Sequence, residues 1–174
     1  MNIYEIDWRI GPLDSVIVGI QAGLKAIEER IDVEEGFDGL TALDHADPLL
    51  GLGFVAAQTY LLGAWTDLNR IRKGNGRTAL DKHQCYASDP ITVREGVTRI
   101  QLINATANYF KHHDEWADWP ANKTTQVLGR VGITRTTEFR CVEATRLLCG
   151  ESWEMILLPQ IVREWRTHIF SALR

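Results

Sequence analysis

The chain has 174 residues, 45% of them hydrophobic and 24% charged, with a formal net charge of −4. That is an ordinary globular composition, long enough for one domain with a real core, and its acidic balance argues against a large non-specific nucleic-acid surface. The longest apolar runs, 49–57 and 155–159, stop well short of the roughly 18 residues that span a bilayer, and no basic segment followed by an apolar core opens the chain, so neither a membrane span nor a secretory signal is predicted.

Residues 2–10 set Ile3, Tyr4, Ile6, Trp8 and Ile10 among polar neighbours in near-alternation and read as an extended arm, residues 1–12, ended by Gly11 and Pro12. No partner strand is legible, so the arm packs alone or pairs with the same segment of another subunit, with Trp8 as its contact. Residues 13–31 read as a helix capped by Asp14 or Ser15, because Val16, Ile17, Ile20, Leu24, Ile27 and Ile31 recur at threes and fours. Residues 32–48 read as an acidic loop. From Pro48 to about residue 73 a helix apolar on most sides is predicted as the buried centre. Gly51, Gly53 and Gly63 each cost it about 1 kcal/mol relative to Ala, which points to close approach of a neighbour.

Gly74, Asn75 and Gly76 stop that helix, and 78–89 reads as a polar loop with one helical turn. Pro90 is placed at the start of a long helix, 90–116, that ends in a tryptophan-rich corner between Trp116 and Pro120. A short helix comes next over 122–131, capped by Asn122 or Thr124. Another opens at Thr136 or Thr137 and closes at Gly150, and a last one covers 153–173, where Pro159 kinks it or marks a new start. With no repeat or linker, the predicted fold class is all-α: a single helical domain over 1–174, a bundle of five or six helices with a short extended N-terminal arm. Cys85, Cys141 and Cys149 lack zinc spacing and read as reduced, mostly buried thiols of a cytoplasmic protein.

The long helix 90–116 carries the one constellation with chemical content. Asn104, Asn108, Lys111, His112 and Glu115 fall within about 100° around its axis. Ile100, Ile103, Ala107 and Phe110 gather on one flank and Leu102, Tyr109 and Trp116 on another, so the polar stripe is expected in a cleft between neighbours. His112, with a reference pKa near neutral, suits a general base, and Lys111 suits a phosphate. Asn104 and Asn108 can orient a substrate or fix the imidazole tautomer, Glu115 can orient His112 from i+3, and Asp67 is a supporting polar group. Against this stands the plain reading that the asparagines satisfy one another and that Lys111 with Glu115 is an ordinary i,i+4 pair. His112 and His113 point about 100° apart and cannot share an ion, so no metal and no cofactor is expected. Phosphate-loop and nucleophile-elbow patterns are absent.

Asn108-Tyr109-Phe110-Lys111-His112, on a long helix in an all-helical setting, resembles the HEPN superfamily. Its members are often dimeric RNases of toxin, abortive-infection and phage-defence systems, or inactive nucleotide-associated relatives. The resemblance covers this helix alone. It implies a homodimer whose paired helices form an RNA-cutting cleft, with metal-independent ribonuclease chemistry, His112 as general base and Lys111 on phosphate. The alternative is a non-catalytic helical interaction protein in which the stripe is a structural hydrogen-bond network and the arm makes the contacts.

Overall fold

Two antiparallel helices, α1 (Ile10–Ile31) and α2 (Gly39–Gly74), frame the protein. The computed structural model describes residues 3–31, 33–151 and 153–173; Met1 and Asn2 of the predicted arm and Asp32 of the predicted loop lie outside the described residues, as do Ser152 and Arg174. α1 buries Leu13, Ile17, Ile20, Leu24 and Ile27. That face settles closely on α2: Gly23 approaches Leu49, and a Cβ at Gly53 would stand 3.5 Å from both Ile17 and Ile20.

The extended arm is corrected. Ile3–Glu5 is a 3-10 turn and α1 already begins at Ile10, so Gly11 and Pro12 sit inside its first turn. Proline is tolerated there because the first N–H groups of a helix have no carbonyl to reach. The N-terminal segment is tied to α2 by the Tyr60 hydroxyl donating to Asp7 and by the Arg9–Asp67 ion pair at 3.1 Å.

The acidic loop over 32–48 is also corrected. Asp38 caps α2, accepting from the Thr41 N–H at 2.8 Å, and Ala42, Ala46 and Leu50 recur at intervals of four, all wholly buried. Pro48 therefore lies inside the helix, where it removes one intrahelical bond that the buried stripe around it offsets. Averaged hydropathy also revises the reading from uninterrupted runs. By length and composition α1 and α2 are each apolar enough to cross a membrane. In the fold α2 packs against α1, α4, α6 and α7.

α3 (Lys82–Ala87) is capped by Asp81. A hairpin then replaces the first turns of the helix predicted from Pro90: β1 (Thr92–Arg94) pairs antiparallel with β2 (Val97–Thr98). Its two turn residues, Glu95 and Gly96, have φ of 46° and 70°, the positive pair that fits the right-handed twist of a hairpin. Thr98 caps α4 (Arg99–His112) in a reciprocal box with Gln101. Arg99, at its start, grips the fully buried Asp89 with two bonds of 3.0 and 3.1 Å and reaches Glu164 at 2.8 Å.

After a 3-10 turn at His113–Glu115 come α5 (Lys123–Arg130), capped by Asn122, then α6 (Arg140–Cys149) and α7 (Leu157–Ala172). Pro159 sits in the first turn of α7, so it marks a start and makes no kink. Seven α-helices and one hairpin are thus present among the described residues, where five or six helices and no hairpin were predicted. The core is one connected cluster in which Phe54 and Leu61 of α2, Ile100 and Ile103 of α4 and Trp165 of α7 are almost wholly buried.

Candidate functional site

α2 and α4 run antiparallel, with Gly51 against the Phe110 ring and Gln58 against Asn104 and Asn108. Gln58 Nε2 lies 2.9 Å from Asn104 Oδ1, 2.8 Å from Asn108 Oδ1 and 3.3 Å from the Asn104 backbone oxygen. The backbone oxygen can only accept, so the atom facing it must be the Gln58 nitrogen. Both asparagines must then turn their oxygens toward Gln58 and their amide nitrogens away. Gln101, one turn back on the same face, is oriented alike: its Oε1 accepts from the Thr98 N–H at 3.0 Å.

This upper half of the polar stripe lies in a cleft, as its flanking apolar faces predict. The cleft holds about 250 Å³ between α3, α4 and α5, and its walls include His83, Tyr86, Gln101, Asn104, Asn108, Lys123, Gln126 and Arg130. No carboxylate of the described residues lines it. Arg130 also donates to the Glu95 backbone oxygen, and Asp81 stands nearby with its carboxyl held below the usual range. The Gln84 N–H does most of that, with help from the His83 N–H and the positive charge of Lys123.

The lower half of the stripe is elsewhere. α4 ends at His112, and the tighter 3-10 turn His113–Glu115 changes the angular spacing of the residues beyond it. Lys111, His112 and Glu115 are exposed. His112 Nδ1 lies 3.2 Å from Glu115 Oε2, as an i,i+3 surface pair. The expectation of one sheltered constellation is therefore corrected: Asn104 and Asn108 share a cleft that Lys111, His112 and Glu115 do not line. Asp67 is not a supporting group for either half. It is 3% exposed and engaged by Arg9 and by Arg70 at 3.4 Å. At 1.5 Å per residue it sits roughly 24 Å along α2 from Gly51, the level at which α4 nears its end.

His113 donates from Nδ1 to the Phe110 carbonyl and packs on Tyr109, which with Trp116, Trp119 and Arg140 builds the tryptophan-rich corner. The three cysteines are free. Burial pushes the thiols of Cys85 and Cys149 up to about 12 and raises Cys141 as well, so none offers a thiolate near neutral pH. No group of three or more metal-ligating side chains converges among the described residues.

Gln58, Gln101, Tyr86, His83 and Lys123 were not singled out from the sequence as site residues. Gln58 had a signal, a side-chain amide in the otherwise apolar run of α2, and Gln101 had its i−3 position from Asn104. The residues of α3 and α5 had none, since nothing local shows which helices meet. Compared with known proteins, the chain matches no family model, and no curated protein or solved structure is significantly similar to it. The HEPN likeness rests on Asn108, Lys111 and His112 alone.

Proposed function

We propose that the chain is a non-catalytic helical interaction protein that acts as a homodimer, with the Gln58, Asn104 and Asn108 amides joining α2 to α4. The observation that carries this reading is the outer side of α1. Pro12, Val16, Val18, Gly19 and Ala22 are exposed there, and no exposed residue between 15 and 23 bears a charge. Beside it, Trp8 is 64% and Val16 46% exposed, at the edge of a groove of about 440 Å³ walled by Leu13, Ala56 and Tyr60. A projecting aromatic next to an apolar groove suits a two-fold pairing, in which each copy presents the same patch to the other. Sedimentation equilibrium tests it: wild type sediments as a dimer and Val16→Glu as a monomer. A monomeric wild type at micromolar concentration overturns it.

A second reading, a HEPN-like metal-independent RNase of a toxin or defence system, is favoured by the solvent-accessible His112–Glu115 pair beside Lys111. Against it, the arginine that the family carries upstream is replaced by Ala105, Thr106 and Ala107. RNA cleavage at low salt with chelator separates the two readings. The interaction reading expects none, whereas cleavage by wild type that disappears in His112→Ala establishes the nuclease.

A further inference from the structure

The cleft between α3, α4 and α5 is walled by hydrogen-bond donors that the protein leaves without acceptors. Gln101, Asn104 and Asn108 lie at i, i+3 and i+7 on one face of α4, and the oxygen of each is engaged within the fold. Their three NH₂ groups make no hydrogen bond to the described residues, and none is shut away from solvent. Since these side chains line the cleft and Gln58 does not, the NH₂ groups are what they present to it. Tyr86 behaves likewise. The residue is 2% exposed, yet its hydroxyl makes no hydrogen bond among the described residues and is not sealed off.

Across from this row, Lys123 stands at the first position of α5 with no ion pair among the described residues, and His83 projects from α3. Each amide nitrogen supplies two N–H donors and the ammonium three. A donor-rich cavity with cations and no carboxylate in its wall is complementary to a ligand rich in acceptors and negative in charge. The donors converge from three helices, which suits the tetrahedral spread of three phosphate oxygens better than a planar carboxylate. At about 250 Å³ the space is smaller than the roughly 300–1,000 Å³ of drug-sized sites. Val127 and the Tyr86 ring give a short carbon chain an apolar wall.

We propose that this cleft binds a small phosphomonoester, with the NH₂ groups of Gln101, Asn104 and Asn108 and the Lys123 ammonium on the phosphate. The site stands independently of the dimer face and of any reaction at His112.

Isothermal titration with glycerol 3-phosphate and with inorganic phosphate tests it, with acetate at equal ionic strength as the control. Two variants are informative. Asn108→Asp keeps an oxygen for Gln58 to bond and exchanges the NH₂ donor for a negative charge. Lys123→Gln, at the start of α5, removes the ammonium with little effect on folding. Wild type binds both phosphates saturably and acetate far more weakly; Lys123→Gln weakens phosphate binding about tenfold, the measure of one bond to a charged group, and Asn108→Asp abolishes it. Should Asn108→Asp fail to fold, Lys123→Gln decides alone. Absence of saturable binding at millimolar phosphate overturns the proposal, as does equal affinity in wild type and Lys123→Gln, or acetate binding as well as phosphate. Tighter binding of an RNA oligonucleotide that Lys123→Gln weakens would also overturn it in favour of a polymer backbone.

Discussion

Asp47 Oδ1 accepts from the N–H groups of Cys141 and Val142 at 2.8 and 2.9 Å, 94 and 95 residues further along the chain. α6 has no side-chain cap of its own, so a residue of α2 caps it across the fold. Burial pushes the Asp47 carboxyl up, against the pull of those two bonds toward the anion. A raised folded value means that the folded state keeps a proton the unfolded chain has already released. The group's contribution is then fully present below the unfolded value, about 4, and is lost as pH rises through the raised folded one. Asp38 runs the other way. The Thr41 N–H lowers it, so its contribution is present above the ordinary carboxylate range and fades as pH falls. Urea unfolding across pH should therefore show Asp47→Asn, which keeps the accepting oxygen, gaining stability relative to wild type as pH rises through that window. Asp47→Ala, which loses the acceptor, should be less stable than Asp47→Asn by about 1–2 kcal/mol. Nothing in the sequence marks Asp47 for this role, because a cap supplied from another helix leaves no local spacing to read.

Helix existence was legible wherever an apolar stripe repeats at threes and fours, as in α1 and in the centre of α2. Boundaries were not, and proline was the reason. Pro48 and Pro90 both look like helix starts, whereas Asp38 and Thr98, the residues that satisfy the first N–H groups, set the real ones. The hairpin between Pro90 and α4 was hidden because Val93 and Val97 also fit a helical pattern, and its turn depends on positive φ at Glu95, a residue type that seldom adopts it. The close-approach reading of the α2 glycines has a sharp test. A Cβ at Gly51 would fall 2.1 Å from the Phe110 ring, while one at Gly129, near the end of α5, would meet nothing within 4 Å. Gly51→Ala should lower stability by about 1–3 kcal/mol through overpacking, whereas Gly129→Ala should raise it by about 0.5 kcal/mol through helix propensity. Thermal unfolding reads both. A neutral Gly51→Ala would mean that α2 and α4 are not held at this spacing. The cleft was half legible in the same sense: Asn104 and Asn108 share a helix face that any periodicity argument finds, but the lysine and histidine opposite come from helices whose pairing is a property of the assembled bundle.

The whole molecule poses the question of why a helix as long and apolar as α1 keeps its exposed residues between 15 and 23 free of charge. Its inner side is accounted for by α2 and α7, against which it packs. Lone apolar residues on a surface need no account, but a contiguous uncharged helix face flanked by Trp8 and a groove does. If a second copy covers it, folding is coupled to association, and mass action makes the unfolding temperature depend on protein concentration. Each tenfold rise then adds about 1.4 kcal/mol per dimer, or about 2 °C for a chain of this length. Wild type should show that slope in differential scanning calorimetry, and Val16→Glu, with a carboxylate on the patch, should be flat. The length and hydropathy of α1 and α2 supply the competing outcome. A flat wild type that sediments with lipid vesicles, and a Val16→Glu variant that does not, would mean that the face meets lipid and that the homodimer is the wrong occupant.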